Sequence, residues 1–392
     1  STVAAGIGLY LFIGDEEPGA EVFCCAPLAL DTIIPTPSGW TTMGQLKVGE
    51  EVFDEAGNPT IVTYLSPILK DRPCFTLRFH DGESIVCDAE HRWSVKSVIG
   101  QSLKGRPRNE WNGGSSLRRA HVVKTTEQIR NNLKTEWGCR NFSVDVAAPL
   151  LLPVRDLPVK PYALGVWLGD GSSYRGAIVG HVSDREIVQY IETDGYTVSF
   201  QKSESNLIRY TVRGLRTELR RAGLITDDQL ISSKHIPENY LRSSQDQRLA
   251  LLQGLMDTDG TCTKTGECRF TNRNSNLAEG VRELALSLGL LAHIRSISVT
   301  GRPHYVVSFR SPASIPVFRL KRKHARQVRK CTPRNSRRYI VGVDPTQSVP
   351  VRCISVASAS SLYLVGKGMI VTHNTKRDQA KIVWDEMARM VK

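Results

Sequence analysis

The chain has 392 residues, of which 40% are apolar and 23% charged, with a formal net charge of +13. This composition excludes collagen-like, low-complexity and pure coiled-coil chains, and the length corresponds to two or three domains with cores of their own. A basic excess of this size favours a polyanionic partner, because Lys and Arg replace counterions along phosphates.

In chain order, residues 1–12 form a small-residue apolar segment that reads as a buried helix. It is too short to cross ~30 Å of hydrocarbon and lacks a basic leader, so no membrane partner is expected. Residues 14–20 read as an acidic loop and 20–26 as a strand. Residues 27–95 alternate short apolar runs with turn signals at 35–39, 54–57 and 81–82, a β pattern. Residues 96–148 are basic and poor in apolar runs, and read as a linker or insertion. Helical periodicity at 247–256 and 277–290 mixes with β-rich pieces such as 305–309. Residues 319–338 carry many Lys and Arg and no acid, which reads as an exposed basic stretch. Short strands return at 339–343, 349–356 and 362–371, and 376–392 reads as an amphipathic helix. β structure on both sides of an α+β middle implies one discontinuous domain with another inserted in it. The 9 cysteines include no CxxC pair, which argues against a zinc ribbon or a disulfide framework and fits a reducing, cytoplasmic setting.

Two segments of the middle resemble each other: ALGVWLGDG at 163–171 and LLQGLMDTDG at 251–260. Each is an apolar helical run ending in Asp-Gly, where Gly permits either close packing or a left-handed exit. If the helices pack side by side, Asp170 and Asp259 converge and can hold Mg2+, as phosphodiester hydrolysis requires. With KHIP at 234–237 between them, these segments resemble the paired signatures of a LAGLIDADG homing endonuclease over roughly 160–315. The resemblance implies an α+β fold with a pseudo-two-fold axis, strands laid in the major groove of double-stranded DNA, Asp170 and Asp259 as metal ligands, and Lys234 as a catalytic or phosphate-contacting base.

The flanking β segments carry other residues: CDAEHRW at 87–93, RCISV at 352–356 and VTHNT at 371–375. An Asn side chain can attack its own carbonyl and cleave the bond after it. His373 stands beside Asn374, and Thr375 offers a hydroxyl just past the break. Together these segments resemble an intein: a mainly β, horseshoe-like, discontinuous Hint splicing domain interrupted by the endonuclease. His91 matches the histidine that activates the upstream amide; the Thr usual three residues earlier is Asp88 here, and the histidine usual in the late β motif is replaced by Leu362-Tyr363. The first residue of the domain, Pro27, has no side-chain nucleophile. Trp93, Cys353 and Thr372 form a set that resembles class 3 inteins, which lack a first-residue nucleophile. That resemblance implies that Cys353 attacks the Ala26 carbonyl, breaking the Ala26–Pro27 bond, with Trp93 and Thr372 orienting Cys353. Thr375 then takes the acyl group and Asn374 cyclises, with no cofactor. A class 1 start at Cys25 is the alternative, and so is an endonuclease whose frame no longer splices.

The implied division is 1–26 as an upstream host fragment, 27–155 as the first part of the frame, 156–338 as the endonuclease, 339–374 as the rest of the frame and 375–392 as a downstream host fragment. The joined ends resemble the ATPase domain of a phage terminase large subunit, without its P-loop Gly-Lys. The expected partners are the terminase sequence in cis and the uninterrupted host gene as DNA target, for a monomeric, phage- or prophage-encoded protein.

Overall fold

The computed structural model describes residues 26–98, 119–136, 138–172, 176–202, 206–226, 234–327 and 337–374. Expectations for 1–25 and 375–392, including Cys25 and Thr375, lie outside the described residues. The chain divides into two compact units, with breaks at 145/146 and 337/338; residues 37–39 group with the inserted unit.

The described residues of the outer unit are almost all in strands or the turns between them: β1 (Leu28–Ala29), β2 (Ile33–Thr36), β3 (Gly39–Thr42), β4 (Glu51–Phe53), β5 (Pro59–Leu65), β6 (Cys74–Phe79), β7 (Ser84–Asp88), β8 (Arg92–Val98), β9 (Arg119–Thr125) and β10 (Phe142–Asp145), with one helix among the described residues, α1 (Thr126–Asn131). Their alternation is legible in β5, where Val62 is buried between exposed Ile61 and Thr63. The Asp81-Gly82 signal closes the β6–β7 hairpin, and Gly82 takes the positive φ of 91° that the turn requires. A capping box between Thr125 and Gln128 starts α1.

Residues 96–148 differ from the expected linker. β8 pairs with both β9 and β10; together with β18 (Arg337–Thr346) and β19 (Val351–Arg352) from the late part of the chain, these three belong to the eight-stranded sheet β19-β1-β7-β6-β18-β10-β8-β9. Their basic side chains lie on a half-exposed face, which hides the strand pattern from a reading based on apolar runs. The late strands are numbered here β18 (Arg337–Thr346), β19 (Val351–Arg352), β20 (Ile354–Val356), β21 (Leu362–Val365) and β22 (Ile370–His373), and they interleave with the early ones. β1 lies between β19 and β7, so the two ends of the unit meet inside one sheet. The core beneath gathers Leu28, Ile34, Phe79, Trp93, Ile354 and Tyr363.

The inserted unit repeats one topology. Its first half runs α2 (Pro161–Asp170), β11 (Ala177–His181), α3 (Glu186–Thr193), β12 (Val198–Lys202), β13 (Leu207–Val212) and α4 (Leu215–Arg221). After the short α5 (Glu238–Leu241) come α6 (Gln245–Thr258), β14 (Gly260–Cys262), β15 (Cys268–Asn272), α7 (Ser275–Ser287), β16 (His293–Val299), β17 (Arg302–Phe309) and α8 (Lys321–Gln327). The sheet orders are β11-β13-β12 and β14-β15-β17-β16. In the first half a single bridge, Gly171 to Ile178, stands where β14 pairs with β15.

The two Asp-Gly helices, α2 and α6, pack against each other at glycines. A Cβ on Gly165 would sit 2.3 Å from the Leu251 carbonyl oxygen, and one on Gly254 would sit 2.3 Å from that of Tyr162. Both helices bury residues around most of their circumference, as central helices do. Gly171 and Gly260 resolve the choice left open by the sequence: neither has a positive φ, and each is held instead by crowding, 2.3 Å and 2.4 Å from the carbonyl oxygens of Trp167 and Met256. The stretch 319–338 is not uniformly exposed, because Lys323 and Arg338 are buried. Among the described residues, no helix is long and apolar enough to cross a membrane.

Candidate functional sites

The sheet register builds the first site. Leu28 pairs with Arg352 and Ala29 with Val351, so the residues next in chain, Pro27 and Cys353, leave the same end of the β1–β19 pair. On the other side of β1, Leu28 pairs with Cys87, and the Asp88 amide donates to the Pro27 carbonyl at 3.2 Å. The Ala26–Pro27 segment thus runs out between the strand that leads into Cys353 and the turn that carries Asp88 and His91. Cys353 is fixed through Ser66: its amide donates to Ser66 Oγ at 3.1 Å, and its carbonyl accepts the Ser66 amide at 3.0 Å.

His91 is fully buried, and Nε2 lies 2.7 Å from Thr372 Oγ1. Burial pushes its pKa down to about 3; the Ala26 carbonyl opposes this, the nearby His373 adds to it, and the Pro27 carbonyl opposes it. Nδ1 has no hydrogen-bond partner of ordinary geometry among the described residues. The tautomer with hydrogen on Nδ1 lets Nε2 accept from Thr372 and turns an N–H toward the carbonyls of Ala26 and Pro27. Trp93 packs edge-on against His91 with ring centroids 4.8 Å apart, and its Nε1 donates to Thr126 Oγ1 at 3.1 Å.

Trp93 and Thr372, expected to orient Cys353, contact His91 directly, and Trp93 also contacts Thr126 behind it. Thr126 is a residue that sequence reasoning missed. Its amide donates to the His91 carbonyl at 2.9 Å, and its hydroxyl receives Trp93 and lies 3.3 Å from Cys87 Sγ. It sits in the stretch read as a linker, so no signal near His91 pointed to it. Asp88, in the place of the usual Thr, is fully buried and receives Arg72 Nε at 2.6 Å. Burial pushes the thiol of Cys87, also near the junction, up to about 12, away from the thiolate form.

At the downstream end, His373 Nδ1 contacts the carbonyl oxygen of Asn374, the group that precedes the expected break. The Asn374 amide donates to the Ser361 carbonyl at 2.8 Å, and Nδ2 lies 3.5 Å from the Val356 carbonyl. Asn374 Oδ1 is buried without a partner among the described residues. The Thr372 bond to His91 and the electrostatic coupling of His373 to His91 link this end to the first junction.

The second site lies at the C-terminal ends of α2 and α6. Asp170 ends α2 and Asp259 caps α6. Burial and then the charge of Asp259 raise Asp170 to about 6, against the pull of Lys234 and Lys323. Burial also raises Asp259, whose Oδ2 accepts Asn272 Nδ2 at 2.8 Å. Lys234 Nζ donates to the carbonyls of Trp167 at 2.8 Å and Gly171 at 2.7 Å, closing the end of α2. Lys323, which the sequence reading missed, does the same for α6, donating to Met256, Asp257, Thr258 and Gly260 at 2.6–3.1 Å. Burial lowers both lysines to about 8. The signal for Lys323 lay in the basic stretch, but no spacing distinguished it from its neighbours. Two converging carboxylates whose repulsion is only partly offset by lysines suit a hard divalent cation that keeps most of its water.

Residues 246–338 match the family described as a LAGLIDADG-like domain. Over 358 residues the chain is 37% identical to the replicative DNA helicase DnaB of Mycobacterium intracellulare, across 89% of this chain and 58% of that protein. It is 47% identical over 79 residues to the replicative DNA helicase DnaB of Mycobacterium leprae (strain TN), across 20% of this chain and 13% of that protein. The chain thus spans less than two thirds of the length of either curated relative. Among solved structures, the MchDnaB-1 intein is 16% identical, with 88% of this chain and 99% of that one covered and a TM-score of 0.29. The homing endonuclease I-DmoI, in complex with DNA and Ca, is 17% identical, with 39% and 82% covered and a TM-score of 0.28. The relatives correct the expectation of a phage terminase host, since both are replicative helicases. That expectation rested on two short flanks outside the described residues, too little sequence to identify a host.

Proposed function

We propose that the chain excises its own residues 27–374, joins Ala26 to Thr375, and carries in its inserted unit a site-specific endonuclease for double-stranded DNA. What supports the splicing reading is the setting of the Ala26–Pro27 bond: the residues that flank it and Cys353, Leu28 and Arg352, are paired, and the carbonyls of Ala26 and Pro27 act on the buried His91.

Cys353 Sγ bonds to the Ala26 carbonyl carbon. His91, neutral at rest because its pKa is depressed, donates Nδ1–H to the Pro27 nitrogen as the Ala26–Pro27 bond breaks, and the proton released by the thiol restores the neutral ring at Nε2. Nδ1–H polarises the carbonyl beforehand, and Thr372, Trp93 and Thr126 hold the ring. The product is a branched thioester. Thr375 Oγ then displaces the sulfur, which regains a proton. Asn374 Nδ2 attacks its own carbonyl carbon, polarised by His373. The bond to the Thr375 nitrogen breaks, that nitrogen takes a proton, and the freed amine converts the ester to an Ala26–Thr375 amide.

In the inserted unit, Asp170 and Asp259 would hold a divalent cation, Mg2+ being the ion that suits so few carboxylates, and when bound it supplies Lewis acidity at a phosphodiester. Lys234 and Lys323, lowered toward neutral pH, stand beside the carboxylates to contact phosphate or carry protons. The match of 246–338 to the LAGLIDADG-like family, the duplicated topology and the net positive charge support this reading. Intact-mass measurement of the purified chain over time should yield two products, 27–374 and 1–26 joined to 375–392. A chain that keeps its full mass overturns the splicing reading, and failure of the wild type to cut the uninterrupted host gene with Mg2+ overturns the nuclease reading.

A further inference from the structure

The register places Tyr363 directly opposite Thr372 in the β21–β22 hairpin, so the two side chains leave the same face. The Thr372 side chain contacts His91, so that face looks into the splice centre. The ladder continues to Ser361 and Asn374, joined by the Asn374 amide bond to the Ser361 carbonyl. Asn374 follows the last residue of β22, two residues beyond Thr372; continuing the alternation of the strand by that one step puts it on the same face, diagonal to Tyr363.

Two polar atoms on this face are buried without a partner among the described residues: the Tyr363 hydroxyl and Asn374 Oδ1. One is a donor and the other an acceptor. Tyr363 is fully buried and Asn374 nearly so, which makes a missing partner costly for either. Asn374 Nδ2, by contrast, is already turned toward the Val356 carbonyl, which leaves Oδ1 as the open end of the amide.

We propose that Tyr363 is a further catalytic residue: its hydroxyl and Asn374 Oδ1, both unbonded among the described residues, come together as the amide turns to attack, and the hydroxyl then donates to Oδ1 and activates the side-chain amide for cyclisation. The inference rests on the splicing reading above and adds a residue to its last cleavage. A hydrogen bond to Oδ1 draws electron density from the amide and acidifies Nδ2–H. Nδ2 then loses one proton as it bonds to the Asn374 carbonyl carbon, and the departing Thr375 nitrogen gains one. His373 polarises the carbonyl under attack, and Tyr363 activates the attacking group. The division of labour explains how the centre works with Leu362-Tyr363 in the late β motif, where a histidine is usual.

The test uses the full chain carrying Cys353→Ala, so that only cleavage at 374/375 is followed, and reads release of 375–392 by intact mass. Tyr363→Phe should slow that release at least tenfold. Phe removes only an unpartnered buried hydroxyl, so the thermal midpoint should not fall. Thioester formation is measured separately, in Asn374→Ala chains, as thiol-induced release of 1–26. The ratio of the two rates should shift at least tenfold against 374/375, where a merely structural role would move both together. Replacing Tyr363 with 3-fluorotyrosine, which keeps the hydroxyl, should restore the rate. Equal release rates with Tyr and Phe overturn this proposal alone. Absence of cleavage at either junction in the otherwise wild-type chain overturns the splicing reading and this proposal with it.

Discussion

The two centres treat charge differently. Around the first junction, His91, Trp93, Cys353, Tyr363 and Thr372 are all 1% exposed or less, and His91 is held neutral. At the ends of α2 and α6, two carboxylates and two lysines crowd together, and burial pushes the lysines and Asp170 from their ordinary values toward neutral pH. On the proposed reading the first centre acts on its own backbone, so strand pairing delivers its substrate into a buried setting. The second, on the same reading, accepts a polyanion and a cation from solution, so its charges have to be present before the substrate arrives. The supports differ accordingly: strand pairing and hydrogen-bonded hydroxyls in one, glycine-to-glycine helix packing in the other.

The largest separation should come from Gly165→Ala. Its Cβ would meet the backbone of α6, which cannot yield as a side-chain tip can, so the inserted unit should lose about 3 kcal/mol of stability and its DNA cleavage. Splicing should continue at the wild-type rate. Coincident loss of both activities would mean that the two centres are not independent.

Next, Asp170→Asn should lower DNA cleavage roughly 10²–10³-fold with DNA binding retained, while leaving the splicing products unchanged. Gel-shift and cleavage assays on the same preparation would check this. Equal cleavage by the variant would remove the carboxylate pair from the chemistry.

A smaller effect concerns pH. His91 binds a proton near pH 6.5 when unfolded but only near 3 when folded, so the unfolded state holds more protons in between. Its contribution to stability is complete above pH 6.5 and is lost as pH falls toward 3, at up to about 1.4 kcal/mol per pH unit. Asp170 has the opposite sign: its folded value near 6 lies above its ordinary 3.8, so its contribution is complete below about 4 and declines as pH rises through 6. Urea unfolding of His91→Gln and Asp170→Asn chains between pH 4 and 7 should flatten the two dependences separately.

Much of this was legible in the sequence, for identifiable reasons. Asp-Gly endings on apolar helical runs mark α2 and α6, and the Asp81-Gly82 turn marks a hairpin, because these are local signals. The segment carrying Thr126 was not legible, since its strands are basic and half exposed, and its partner β8 lies across a long intervening stretch. Ser66, which clamps Cys353, and Lys323, which closes α6, act through backbone atoms far away in sequence, and nothing in their own neighbourhoods announces that. The contacts of Trp93 and Thr372 with His91 were not legible either, because co-occurrence with Cys353 does not say which residues each one touches.

The central claim is that Cys353 takes the acyl group of Ala26. Thiol-induced cleavage at 26/27 should be followed by intact mass in three chains: Asn374→Ala, and the same chain with Cys353→Ala or Cys25→Ala added. The account predicts release of 1–26 from the first and third and none from the second. Release that persists without Cys353, or that disappears without Cys25, would contradict it.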